Sequence, residues 1–155
     1  MSKSLTEMLA TEENPPAEPV LAQLADAVGA EHVFTDAANR RLHSQDVYRA
    51  GQLPLAVVRP ATTAQTSAVV AAATAAGVAI FVRGGGMSYT DAFLPDRARS
   101  IVVDMTRMNQ VREVNAEDLY ATVEAGCTWA ALDEALAQQG LRSVFWGPMS
   151  GQMST

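Results

Sequence analysis

The 155-residue sequence predicts an α+β protein made of two small layers rather than one doubly wound sheet. Three observations carry that expectation. A strand–helix–strand unit of about 28 residues runs from Leu55 to Val82. Two alternating segments, 111–115 and 120–124, read as a hairpin with one buried face. Between these units, residues 90–99 contain Pro95 and no 3.6-residue stripe, so no crossover helix continues a parallel winding there.

Residues 1–45 are read as a lead-in and a helix. The first nineteen are polar and carry Pro15, Pro16 and Pro19. A helix follows over about Glu18 to Val28, with Leu21, Leu24, Ala25 and Val28 as its apolar stripe and Gly29 at its end. His32-Val33-Phe34 is a short strand, and Asp36 caps a further short helix through Arg41. Residues 43–52 are polar and irregular.

Leu55 to Val58 is a compact apolar strand closed by Arg59-Pro60. Thr62, followed three residues later by Gln65, forms a capping box. The helix it opens is expected to bury Val69, Val70, Ala73 and Ala76 and to stop at Gly77. Ala79–Val82 is the second strand, parallel to the first. After the glycine-rich loop, Ser100–Asp104 is a strand. The hairpin turns at 116–119 and ends at Gly126. Thr128 caps a last helix with Trp129, Leu132, Ala135 and Leu136 on one side, and Gly140 ends it. The remainder, 141–155, has no periodicity.

The bulk numbers narrow the function classes. With 48% hydrophobic and 18% charged residues the chain is globular rather than disordered. Its formal charge is −6, without a basic stripe, which argues against a nucleic-acid partner. There is no apolar run of about 18 residues to span a membrane. The N-terminus leads to no apolar signal core, so a cytoplasmic location is expected. Cys127 is the single cysteine, which excludes an internal disulfide, and the two histidines, His32 and His43, show no ligand spacing. No metal site is expected.

The densest chemical signal is the strand end Val82-Arg83-Gly84-Gly85-Gly86-Met87-Ser88-Tyr89. Three consecutive glycines cost chain entropy unless the backbone must turn tightly or approach something closely. Successive glycine amides also curl into an anion-binding concavity. The segment is therefore a candidate cradle for the pyrophosphate of a dinucleotide. A Rossmann site has an apparent match, because Asp104 lies twenty residues after Gly84. It fails on two counts: Tyr89 stands where the third glycine belongs, and no helix follows to offer its N-terminus to the phosphates. A P-loop fails for lack of Gly-Lys-Ser/Thr.

With those removed, residues 82–89 resemble the pyrophosphate loop of FAD-linked oxidases of the vanillyl-alcohol oxidase type. Further segments are similar to that family in the same order. They are Leu53-Pro-Leu-Ala-Val-Val-Arg-Pro60, Ile101-Val-Val-Asp-Met-Thr-Arg-Met-Asn109, Ala121-Thr-Val-Glu-Ala-Gly-Cys-Thr-Trp129 and Gly147-Pro-Met-Ser-Gly-Gln-Met-Ser-Thr155. The resemblance covers roughly 46–155 and marks that stretch as an FAD-binding domain, incomplete at its C-terminal end. It implies FAD bound across two α+β subdomains, and oxidation of a hydroxyl-bearing small molecule by hydride transfer to the flavin. The substrate domain and catalytic residues would lie beyond Thr155, so the chain is expected to be part of a longer enzyme, inactive alone, and no catalytic residue is assigned. Two alternatives stand beside this: a non-catalytic fragment or interaction module that binds nucleotide weakly, and the FAD module of a UDP-N-acetylenolpyruvoylglucosamine reductase-like enzyme.

Carried onto this sequence, the resemblance implies cofactor contacts from Arg83, Gly84, Gly85, Gly86, Met87, Ser88 and Tyr89, and from Pro148, Gly151, Ser154 and Thr155. Met87 stands where many relatives have the histidine that tethers the flavin. A thioether is a poor nucleophile for that bond, so FAD is expected to be non-covalent. Several residues keep two readings. Arg83 is a phosphate contact or an ion-paired surface residue, and Ser88 a phosphate donor or a loop closure. Asp104 reads as a strand-end residue bonding a turn rather than a ribose ligand. Cys127 reads as a small buried residue, His32 and His43 as structural or surface groups, and Trp129 as core. Trp146 is a further candidate to line the cofactor.

Overall fold

The computed structural model describes residues 17–88 and 90–146. Three strands form its centre: β2 (Ala56–Val58), β3 (Ala79–Arg83) and β4 (Ser100–Asp104). They belong to a four-stranded sheet in the order β1-β2-β4-β3, where β1 is Val33–Phe34. β1 pairs antiparallel with β2, and the other pairings are parallel. β2 and β3, joined by a helix, are parallel as expected but are not neighbours. β4 inserts between them, with Val57 beside Val102 on one side and Phe81 beside Val102 on the other.

This arrangement explains why β2 and β4 are apolar without alternation. A central parallel strand is covered on both faces. One face is covered by α1 (Glu18–Val28) and α3 (Thr63–Ala75). Val20, Leu24 and Val28 of α1 and Val69 and Ala73 of α3 pack with Ala56, Val58, Ile101 and Val103. Each fully buried valine or isoleucine contributes about 1.5–3 kcal/mol of transfer free energy. The stripe of α1 is turned from the expected one: Val20 is buried and Leu21 only flanks the cluster. In α3, Val70 is exposed and the alanines 72 and 76 flank the core in its place. The small alanine face lets α3 lie close to the sheet.

The opposite face carries Val57, Val102, Asp104 and Arg83, because side chains alternate along each strand. There α2 (Ala37–His43) brings His43 to Asp104, and the buried segment Phe93-Leu94-Pro95 brings Phe93 to Arg83.

The helix starts follow the caps seen in the sequence. Asp36 accepts from the amide of Asn39, and Thr62 from the amide of Gln65 at 3.1 Å. The Gln65 side chain returns the bond one residue earlier than a strict capping box would, to the amide of Ala61 at 2.7 Å. Gly77 ends α3 with φ +62.

The second layer is the hairpin β5 (Val111–Asn115) and β6 (Tyr120–Val123), with α4 (Trp129–Ala137) packed on β5. Its turn is organised by Asn115, whose side-chain oxygen accepts from the amides of Glu117 and Asp118. Below it, Glu124 accepts from the amide of Gln110 and pairs with Arg112, closing the base of the hairpin. Trp129 is half-buried and meets Phe145 edge to face at 5.1 Å between centroids. Among the described residues no helix is long and apolar enough to cross a membrane.

Candidate functional site

β3 runs out at Arg83, and Gly84 and Gly85 continue from its end into the mouth of a cleft of about 590 Å³. β4 leads into the next lining segment. Its last residue, Asp104, caps a 3-10 turn over Met105–Arg107 by accepting from the amide of Thr106 at 3.0 Å, and this turn presents Thr106 to the cleft. Asn109, Gln110 and Val111 lead from that turn into β5. The far wall is Gly126, Thr128 and Ala131, the start of α4. Thr128 caps α4 by accepting from the amide of Ala131 at 3.2 Å. The cleft therefore lies between the two layers, with a helix N-terminus and a glycine strand end on opposite sides. Both favour negative charge, the first through the helix dipole and the second through close backbone amides.

Arg83 adds a formal cation to this cleft. Its Nε is buried and has no hydrogen-bond partner among the described residues. Its guanidinium lies 5.5 Å from the centroid of the Phe93 ring. It also rests against Gly86, where any β-carbon would collide with it, and Gly86 has φ +75. The left-handed backbone favours glycine there, and a β-carbon would push the Arg83 guanidinium aside. Burial pushes the Arg83 guanidinium below its ordinary pKa, Asp104 pulls it up, and Arg59 pushes it down. It stays charged.

Behind the cleft, Asp104 is buried within a cluster of basic groups. Its Oδ2 accepts from Arg59 Nε at 2.7 Å and lies 3.2 Å from His43 Nε2. His43 Nδ1 lies 2.8 Å from the carbonyl of Asn39, and its Nε2 also lies 3.3 Å from Arg59 Nη2. Burial alone would raise the Asp104 pKa. The bonds from His43, the Thr106 amide and side chain, and Arg59 outweigh it and hold the carboxyl well below its usual range. Asp104 is thus the strand-end residue that the sequence indicated, and His43 is structural. Cys127 is fully buried, and burial, with Glu124 adding to it, pushes its thiol up. A thiol held in that form is a weak nucleophile.

Of the expected contact residues, Arg83, Gly84 and Gly85 line the cleft. Gly86 stands behind them against Arg83. Met87 and Ser88 continue the loop half-buried, and Ser88 Oγ lies 2.9 Å from Thr90 Oγ1. Tyr89, Pro148, Gly151, Ser154 and Thr155 lie outside the described residues. Trp146 is exposed and does not line the cleft. Sequence reasoning missed Thr106, Asn109, Gln110, Val111, Gly126, Thr128 and Ala131 as lining residues. Five of them fall inside the 101–109 and 121–129 segments or directly after the first. The order of those segments was visible, but nothing local marks a threonine or asparagine there as facing a cleft.

Comparisons with known proteins place the chain in a family. The FAD binding domain family matches residues 54–153. An uncharacterized FAD-linked oxidoreductase of Mycobacterium tuberculosis is 29% identical over 135 residues, covering 85% of this chain and 29% of that protein. D-2-hydroxyglutarate dehydrogenase of Xanthomonas citri pv. viticola is 30% identical over 125 residues, covering 80% of this chain and 26% of that protein. The chain therefore spans less than a third of the length of these relatives. Among solved structures, p-cresol methylhydroxylase with substrate bound superposes with a TM-score of 0.73 at 18% identity, over 87% of this chain and 27% of that one. That likeness is one of fold. With the family match spanning most of the chain and the glycine strand end set in an inter-layer cleft, this chain belongs to the FAD binding domain family of FAD-linked oxidoreductases.

Proposed function

We propose that the cleft holds FAD without a covalent bond, as the cofactor-binding part of a flavin-dependent oxidoreductase that oxidises a hydroxyl-bearing small molecule. The observation that carries this is the buried, unpartnered Nε of Arg83 beside Gly84 and Gly85 in a cleft faced by the α4 N-terminus. A buried donor without an acceptor costs about 1–3 kcal/mol, which an anion at the cleft would offset. The donor set suits a pyrophosphate: glycine amides, Arg83, the Thr128 hydroxyl and a helix end. The Asn109 and Gln110 side chains, bonded to each other at 2.9 Å, are neutral polar groups at the cleft. When bound, FAD supplies hydride acceptance at its isoalloxazine ring. This chain's residues bind and orient it. The hydroxyl-bearing substrate is supported by the relation to a D-2-hydroxyglutarate dehydrogenase. Substrate contacts and the proton acceptor are assigned to no described residue.

Met87 supports the absence of a covalent bond, since its thioether offers no nucleophile for a flavin carbon. The test is to purify the 155-residue chain, add FAD, and follow the quenching of flavin fluorescence. Saturable binding is expected. Gly85→Asp, which places a carboxylate in the cradle, should abolish it while leaving the circular dichroism unchanged. Acid precipitation should release all the yellow colour to the supernatant. Flavin retained in the pellet would sink the non-covalent reading, and no binding by the wild type would sink the cofactor assignment.

A further inference from the structure

Arg83 and Asp104 are register partners on β3 and β4, and their side chains project from the same face of the sheet. Neighbouring strands lie about 4.8 Å apart, so an arginine and an aspartate so placed have a bidentate ion pair within easy reach. That pair is not made. Asp104 Oδ2 is engaged by Arg59 Nε at 2.7 Å and faces His43 Nε2 at 3.2 Å, while Oδ1 accepts from the Thr106 amide. Arg83 turns instead to the Phe93 ring and leaves its Nε without a partner. Arg59 is itself held in place, its guanidinium 4.6 Å from the Phe34 ring centroid and its carbonyl accepting from Arg107 Nη1 at 2.7 Å.

The Asp104 side chain caps the turn that carries Thr106 into the cleft. A buried carboxylate also needs a cation. Two arginines are near enough to supply it, and only one of them lines the cleft. We propose that Arg59 is a positioning residue for cofactor binding: by occupying the Asp104 carboxylate it keeps Asp104 from capturing Arg83, and so leaves Arg83 for the pyrophosphate. This rests on the reading that the cleft holds FAD. Arg59 touches no part of the cleft and acts only through its neighbour's neighbour. The electrostatic influence of both Asp104 and Arg59 on Arg83 fits this arrangement.

The test uses the ¹⁵N-labelled full chain and its arginine Nε–H resonances, with FAD affinity measured in parallel. In the wild type, titration with inorganic pyrophosphate should shift the Arg83 Nε–H signal and leave that of Arg59 in place. Movement of Arg59 without Arg83 overturns the proposal, and this arm needs no variant to fold. Arg59→Met should weaken FAD binding roughly tenfold, the size of an ordinary coupling between adjacent side chains. It should also slow exchange of the Arg83 Nε–H with water as Asp104 captures it. Arg59→Met combined with Asp104→Asn should return FAD affinity to within about twofold of Asp104→Asn alone, because the competing charge is gone. Arg59→Lys should fall close to wild type. An Arg59→Met protein that binds FAD normally, or a double variant as weak as Arg59→Met, overturns the proposal. If the wild type binds neither FAD nor pyrophosphate, the cofactor reading fails by itself, and Arg83 exchange in Arg59→Met still decides whether Arg59 keeps Asp104 from Arg83. Slowed exchange supports it, and unchanged exchange refutes it.

Discussion

At Gly126 a β-carbon would collide with the carbonyl of Met105 and the Cα of Thr106. The backbone of the hairpin exit is pressed onto the 3-10 turn of the first layer, and the Gly126 amide donates to the Met108 carbonyl at 2.8 Å. This contact joins the two walls of the cleft, so its size limit bears on both stability and binding. Neither partner is the end of a flexible side chain, and the backbone itself must shift to admit a methyl group. Gly126→Ala is therefore expected to cost about 3 kcal/mol, in the range of overpacked cores. It should also weaken FAD binding, because Thr106 and Thr128 are displaced together. Gly77 makes the contrast. It has φ +62 and open space around the missing side chain. Gly77→Ala should cost about 1 kcal/mol through backbone strain alone and leave FAD affinity untouched. Urea midpoints and flavin-fluorescence titrations of the two variants separate these cases. Equal effects on FAD from both would refute the role given to Gly126.

Helix caps test the elements in the same way. Thr62 opens α3 and does not line the cleft, whereas Thr128 opens α4 at the cleft wall. Thr62→Ala and Thr128→Ala should each lose about 1 kcal/mol. Only Thr128→Ala should also weaken FAD binding, since it loosens amides that face the cofactor. A thermal melt and an FAD titration of each variant check this, and equal FAD affinities would refute it. These caps, the hairpin and the glycine ends were legible in the sequence because each is written within a few residues. The glycine loop was legible for the same reason, and the absence of a helix after it separated it from a Rossmann site. The strand order was not legible: β4 enters between β2 and β3 through pairings that no local pattern records. The partners of Asp104 were not legible either, since His43 lies 61 residues away and Arg59 45. Val70 was misplaced because α3 is so rich in alanine that several faces look equally apolar. The lining threonines were missed because a cleft wall is a property of two layers brought together.

Across the whole molecule, several structural carboxylates share one electrostatic character. Asp104 is held well below its ordinary pKa, with burial opposing and the His43, Thr106 and Arg59 bonds prevailing. Glu124 is lowered by the Gln110 amide and by Arg112, and Asp36 by Asn39. A group whose folded pKa lies below its unfolded value binds more protons in the unfolded chain. Its stabilisation is complete above the unfolded value, near pH 4, and is lost as pH falls through the folded value. Native stability should therefore hold from neutral pH down to about pH 5 and then decline with acidity. Asp104 contributes a slope of at most about 1.4 kcal/mol per pH unit. Asp104 joins the Arg59 strand end to the turn that reaches the cleft, so its share should be the largest single one. Asp104→Asn should lower stability at pH 7 and flatten the acid decline, because the variant has no charge at that site to lose. Urea unfolding at intervals between pH 7 and pH 3 measures both curves. Parallel curves for wild type and Asp104→Asn would show that the buried cluster does not set the acid limit of this fold.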